Sequence, residues 1–245
     1  MKNWRELKST WPRLAFWSDL LARIAILLGL GAAGWFGLNA LPDAINPFSP
    51  IEISSPVGPR TNVKLRLLQP RYEACLAMLR RRDVGLERDR IESDAPGCGM
   101  RKGVKLLKTE LSHGGPIEAT CGLAAALLIW ERQVVIPQSK EILGSPVVRV
   151  RHYGTYSCRN INHAQSGRRS AHAAGKAIDI AGFVLADGRE ASVLKDWGKD
   201  DPAGRFLSVV HDDACRIFNV VLGPDYNAFH KTHFHFDMSI WSTCK

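Results

Sequence analysis

The segment His230-Lys231-Thr232-His233-Phe234-His235-Phe236-Asp237 carries the pattern on which the rest of the chain turns. From His233 onward polar and aromatic residues alternate, and a period of two marks a strand with one face in the core. Phe234 and Phe236 then share the buried face. His233, His235 and Asp237 stand in a row on the other. A soluble domain has little structural reason to line up two imidazoles and a carboxylate; metal ligation or proton transfer supplies one. The strand is expected over 233–240.

A second segment, Ser170-Ala171-His172-Ala173-Ala174-Gly175-Lys176-Ala177-Ile178-Asp179, complements the first. His172 lies in a loop of small residues, with Gly175 and Ala177 placed to keep it tight against the sheet. Asp179 sits on the following apolar run, with Ile178 and Ile180 directed to the opposite face. One His, one Asp and one His from the distant strand make three ligands with the fourth tetrahedral position open. That is the arrangement of catalytic zinc, where a bound water is polarised to a pKa of about 7. Of two histidines two apart, one ligates while the other stands near that water as a base. Ser170 reads as a turn or cap residue, and Asp237 as the group that orients a ligand imidazole or caps the strand end. His230 is either a surface loop histidine or a partner of the ligands.

Working outward, residues 71–82 are expected as a helix with a basic outer face, and Thr120–Val135 as the buried helix of the core. Residues 202–218 read as another helix. Strands are expected over 104–111 and Val147–Tyr156, and Ala177–Val184 with Glu190–Val193 flank the turn signal Asp187-Gly188 as a hairpin. Helices and strands mixed without regular alternation predict an α+β domain with a mainly antiparallel sheet and flanking helices.

Ile24–Pro42 contains no charged residue. A helix of that length reaches about 28 Å, close to a hydrocarbon core of ~30 Å. Lys2, Arg5, Lys8, Arg13 and Arg23 precede it, opposed only by Glu6 and Asp19. The positive-inside rule then keeps residues 1–23 in the cytoplasm, makes 24–42 a single-pass anchor in the inner membrane, and places the rest in the periplasm. A cleavable signal peptide is the alternative; Leu38-Asn39-Ala40 lacks the small residue wanted before a cut. Gly29-Leu30-Gly31-Ala32-Ala33-Gly34 matches the glycine pattern of dinucleotide-binding turns, but with no strand before it the match is rejected. Pro-rich residues 43–62 read as a tether, and a compact domain is expected over 63–245.

The chain has 245 residues, 45% of them hydrophobic and 23% charged, which excludes collagen-like and disordered classes. Its net charge of +9 resembles a nucleic-acid signature. Residues 1–40 hold five basic and two acidic residues, so +3 of it serves membrane orientation and +6 falls on the exported part. There it suits an acidic wall polymer, and no nucleic-acid partner is expected. All six cysteines, Cys75, Cys98, Cys121, Cys158, Cys215 and Cys244, lie beyond the apolar run, where an oxidising compartment favours three disulfides. Short loop closures favour Cys75–Cys98, Cys121–Cys158 and Cys215–Cys244.

The pattern SxHxxGxAxD followed by HxH resembles the LAS metallopeptidases, the group of lysostaphin-type enzymes, D-Ala-D-Ala peptidases and hedgehog domains. His230, His233 and His235 have the spacing of LAS-type murein endopeptidases. Closer still, residues 63–245 are similar to the extensin-like C-terminal domain family of bacteria, through CGLAAALLIWER, GSPVVRVRHYGTYSCRNIN, RRSAHAAGKAIDIAGF and VLGPDYNAFHKTHFHFDM. The resemblance implies a LAS/hedgehog-like peptidase fold with His172, Asp179 and His235 as zinc ligands. It makes His233 the general base or the stabiliser of the tetrahedral intermediate. Arg159, in Tyr156-Ser157-Cys158-Arg159, takes the place of an arginine that binds substrate or oxyanion, with a structural salt bridge as its other reading. The function implied is a membrane-anchored zinc hydrolase of peptidoglycan stem peptides, a carboxypeptidase or endopeptidase. The alternative is a non-catalytic zinc-containing envelope binding or scaffolding protein, as hedgehog domains illustrate.

Overall fold

A computed structural model of the chain describes residues 4–43, 45–46, 48–80 and 84–245, without the side chains of residues 4–15. Two compact units result, Met1–Ser49 and Pro50–Lys245.

The first unit is built on helix α1, Trp4–Asn39. Its stretch Phe16–Asn39 has 24 residues, a mean hydropathy of 1.7 and no buried share, so it is long and apolar enough to cross a membrane. The helix thus takes in Phe16–Arg23, ahead of the charge-free run, and ends before Pro42. Lys2 and the side chains of Arg5, Glu6, Lys8 and Arg13 lie outside the described residues.

The second unit is α+β. Helices α2 (Thr61–Leu68) and α3 (Tyr72–Arg80) lead into strands β1 (Gly85–Ile91), β2 (Met100–Lys108) and β3 (Ile117–Thr120), which form an antiparallel three-stranded sheet. Arg81 and Arg82, expected in the helix over 71–82, lie outside the described residues. The strand expected over 104–111 starts earlier and stops at Lys108, after which the chain turns off. Residues 50–62, expected as tether, belong to this unit: Ile53 is 4% exposed and the Asn62 N–H donates to the Arg216 carbonyl.

The long apolar stretch that follows forms α4 (Cys121–Trp130), a π-turn at Glu131–Val135, and α5 (Ile136–Leu143), which ends on Gly144 in the left-handed region. Every residue of α4 is buried, as its composition predicts. The π-turn is a departure from the simple helix over Thr120–Val135. It presents Glu131 to His113 at 2.5 Å, with both side chains almost fully buried. Glu131 Oε2 and His113 Nδ1 have no hydrogen-bond partner among the described residues, so one hydrogen bond joins the pair. Glu131→Ala is therefore expected to cost about 3 kcal/mol by stranding the imidazole. A urea titration that leaves the midpoint unmoved would contradict this.

Strands β4 (Val147–His152), β5 (Ala177–Leu185), β6 (Glu190–Ser192), β7 (Val220–Leu222), β8 (Phe234–Asp237) and β9 (Thr243–Cys244) form the main sheet. Short helix α6 (Val193–Asp196) and amphipathic α7 (Pro202–Ala214) pack on it; α7 is capped by Asp201, whose carboxylate accepts from the Gly204 N–H. The order is β4-β5-β8-β7-β9 with β6 also on β5, and all pairings are antiparallel except β7–β9. The predicted hairpin is β5–β6. The strands expected over Val147–Tyr156 and 233–240 and the helix over 202–218 are all shorter than anticipated.

β5 is buried along almost its whole length. Its register against β4 slips between Arg151–Gly182 and His152–Ile180, and Gly182 lies next to the Ala191 carbonyl, where a Cβ would meet it at 2.5 Å. The bulge reverses the alternation. Ile178 and Ile180 before it, and Phe183 and Leu185 after it, consequently all reach the core. Trp130 fills the centre of that core against Phe183, Phe218 and Phe236, and its indole N–H donates to the Val210 carbonyl.

The disulfides correct two of the three expected pairings. Cys75 joins Cys121, Cys98 joins Cys158, and only Cys215–Cys244 is as expected. Cys75 on α3 faces the start of α4, so helix packing overrides loop length. Cys98 reaches Cys158 because Gly99 N–H donates to the Ala173 carbonyl, docking its loop beside the His172 segment.

Candidate metal centre

The antiparallel register of β5 and β8 sets Asp179 directly opposite His235. Ile178 and Ile180 on one strand and Phe234 and Phe236 on the other are fully buried on the core side, which leaves the two polar side chains together on the opposite face. His172 arrives from a single 3₁₀ turn, Ala171–Ala174. Ser170 caps that turn, its Oγ accepting from the His172 N–H, and Gly175 ends it at φ +62°. A Cβ at Gly175 would also lie 2.6 Å from Met100 Sδ. Both facts explain the glycine between His172 and Asp179.

Three atoms converge. His172 Nε2 lies 3.1 Å from Asp179 Oδ1 and 3.2 Å from His235 Nδ1, and His235 Nδ1 lies 2.9 Å from the same Oδ1. Ligands at about 2.0–2.1 Å from a tetrahedral zinc are about 3.3 Å apart. The triangle is therefore within a few tenths of an ångström of what such an ion needs.

The outward nitrogens are anchored as ligand imidazoles require. His172 Nδ1–H donates to the Thr155 carbonyl at 2.9 Å, which turns Nε2 toward the triangle. His235 Nε2–H donates to Asp237 Oδ2 at 3.3 Å, and Asp237 Oδ1 accepts from the Ser239 N–H at 2.8 Å. Asp237 is thus an orienting carboxylate, 6% exposed and satisfied on both oxygens.

Electrostatics follow from this packing. Burial pushes the Asp179 carboxyl up, but hydrogen bonds from His172 and His235 override it and hold the group well below the usual carboxylate range. Burial alone would lower His235; Asp179 and Asp237 on its two sides instead raise it to about 9. His233 is lowered, first by burial and then by its histidine neighbours against the pull of Asp179. Its Nε2 is 3.6 Å from Asp179 Oδ1 and its Nδ1 hydrogen bonds Thr232 Oγ1 at 3.1 Å. It stands beside the triangle but outside the three convergent atoms.

His230 is buried, not a surface histidine. Its Nδ1–H donates to Asn227 Oδ1 at 2.7 Å, and burial with the nearby histidines lowers it to about 4. Arg159 holds the outer oxygen of Asp179, Nη2 to Oδ2 at 3.7 Å, on the wall of the cleft. That contact fits the salt-bridge reading and leaves its guanidinium facing the same opening.

The cleft above these groups has a volume of about 700 Å³. Thr155, Tyr153, Asn227, Tyr226, Phe229, Trp241 and Arg168 contribute to it or to its support without having been anticipated. Thr155 acts through its backbone, so no residue type could have signalled it. His113, His152 and His211 stand apart. His211 packs between the rings of Trp197 and Phe234 as a core residue.

Because Asp179 and Asp237 favour the charged form of His235, a divalent ion seated at the triangle would have to displace a proton from it. Calorimetric zinc titration at neutral pH, in buffers of different ionisation enthalpy, is expected to register about one proton released by His235 per ion. No release would mean that the two carboxylates do not hold this imidazole charged.

An α+β domain whose central strand pair places a His/Asp/His triangle at the floor of a cleft is the class defined by these observations. Residues 73–245 match the family described as Extensin-like protein C-terminus, and the chain belongs to that family. No similar chain was found among curated proteins or among solved structures.

Proposed function

We propose that this protein is a zinc-dependent peptidase of cell-wall stem peptides, held to the inner membrane by α1 with its second unit in the periplasm. The observation that carries the reading is the triangle of His172 Nε2, Asp179 Oδ1 and His235 Nδ1, with both imidazoles anchored from behind. Two neutral imidazoles and one carboxylate suit zinc, and three protein ligands leave a position open to substrate or water. The same residues match the ligand pattern of the LAS peptidases. The basic N-terminal flank and the disulfide-bonded second unit support export.

When bound, zinc supplies a Lewis acid that polarises a carbonyl and eases deprotonation of water. The chain's own residues do the rest. His233, neutral and beside Asp179, takes the proton of the attacking water and returns it to the departing amine. Arg159 keeps Asp179 turned toward the histidines through Oδ2 and offers positive charge to the substrate. Asp237 and the Thr155 carbonyl fix the two ligand rings.

Purified peptidoglycan incubated with the full-length protein in detergent tests the proposal. Zinc-loaded protein should release new muropeptides, and chelated protein should not. Stoichiometric zinc with no change in muropeptides across several wall types would overturn the peptidase and leave a metal-bearing envelope binding protein. Absence of zinc binding would overturn the metal itself.

A further inference from the structure

The cleft is far larger than the ligand triangle, and its rim is aromatic. Tyr153, Tyr226, Phe229 and Trp241 line it with exposures of 62%, 48%, 57% and 57%. Large rings left half in water around one opening are an unpartnered surface and not an extension of the core. Tyr153 stands edge-on to His233 with ring centroids 5.6 Å apart, and Tyr226 edge-on to His230 at 5.5 Å. The aromatic faces therefore begin at the histidines and continue outward.

Beyond the two carboxylates that flank His235, the charged side chains lining the cleft are arginines. Arg159 and Arg168 line it, and the Arg168 guanidinium lies over the Trp241 ring at 5.2 Å. The carboxylates among the described lining residues are Asp179 and Asp237, both already engaged with His235. Hydroxyls of Ser157, Thr232, Ser239 and Ser242 complete the wall.

From this combination we infer that the outer cleft binds a glycan strand, its pyranose rings stacked on Trp241, Phe229 and Tyr226 and the sugar carboxylates that carry no peptide read by Arg168. A pyranose has an apolar C–H face and a hydroxylated edge, which matches flat exposed rings bordered by hydroxyls. An aliphatic peptide side chain would call instead for a concave apolar socket. The stacked guanidinium and indole present one cationic edge beside one apolar face. Single-stranded nucleic acid also uses rings with arginines, and it is the competing occupant. The inference rests on the peptidase reading in taking this opening as the substrate cleft, and it makes the substrate a polymer bearing peptides, as opposed to free peptides.

The full-length protein in detergent, with metal chelated so that nothing is cleaved, is titrated calorimetrically with wall glycan strands stripped of peptides. Binding is expected, and Trp241→Ala and Phe229→Ala should each weaken it by about tenfold. Arg168→Gln should flatten its salt dependence. Zinc stoichiometry and the urea unfolding midpoint should be unchanged in Trp241→Ala, which separates a lost platform from a lost fold. Strands that do not bind, variants that bind as tightly as the parent, or tighter binding of an oligothymidylate of equal length would each overturn the inference. Because no cleavage is needed, glycan binding by a protein that cuts nothing would sink the peptidase reading and leave the platform standing.

Discussion

Asp179→Asn is expected to lower zinc affinity by at least about 100-fold, more than any change behind the ligands. Asp179 contributes the one negative charge among the three convergent atoms, and its Oδ1 is the vertex shared by His172 and His235. The amide has nearly the same shape, so the β5–β8 register and the core side of both strands should survive. Its effect on His235 offsets part of that loss, since one of the two carboxylates holding that imidazole charged disappears and less proton competition remains. Asp237→Asn provides the graded comparison. It removes the negative charge behind His235 and leaves one oxygen to serve both His235 Nε2–H and the Ser239 N–H, and should cost about 10–100-fold. Competition against a chromophoric chelator measures both. Equal, small losses in the two variants would mean that Asp179 is a structural partner of the histidines and that the ion, if bound, sits elsewhere.

What the primary sequence makes legible here is what depends on local period. Phe234 and Phe236 are buried and His235 and Asp237 face the cleft because a strand alternates whatever its neighbours are. The Asp187-Gly188 turn is equally local, so β5–β6 was predictable. Pairing across distance is different. Nothing in residues 170–179 or 230–237 dictates that Asp179 falls opposite His235 and not two residues away; the surrounding core sets that register. The disulfides show the same division. Cys215–Cys244 follows loop length, whereas Cys75–Cys121 and Cys98–Cys158 follow how α3 packs on α4 and how the Cys98 loop docks beside Ala173. The π-turn at Glu131–Val135 had one sequence signal, the β-branched run into Pro137, whereas the partner it serves emerges only with His113 in place. The aromatic rim was illegible for a related cause. Tyr153 follows β4, Tyr226 and Phe229 share the β7–β8 connection, and Trp241 lies between β8 and β9; each read singly is an ordinary aromatic.

His233→Ala should reduce the rate of stem-peptide cleavage by about 10²–10⁴-fold while leaving zinc bound. The separation is what gives the variant its force. His233 lies within reach of Asp179 Oδ1 at 3.6 Å but is not one of the three convergent atoms, so removing its ring deletes a proton acceptor without deleting a ligand. Its packing against Tyr153 and His230 is on the cleft side, away from the Phe234 and Phe236 core, so the fold should tolerate the loss. If the effect were purely structural, KM and zinc affinity would move along with kcat. A loss confined to kcat assigns His233 to the chemistry. Unchanged kcat would overturn that assignment and shift the proton to His230, whose Nδ1–H is committed to Asn227 and whose Nε2 lone pair lines the same cleft. His230→Ala, measured beside it, decides between the two. With His233 as the acceptor, His230→Ala acts only by loosening the neighbouring ring and costs far less in kcat. The reverse order of the two losses would reassign the base while leaving the metal triangle untouched.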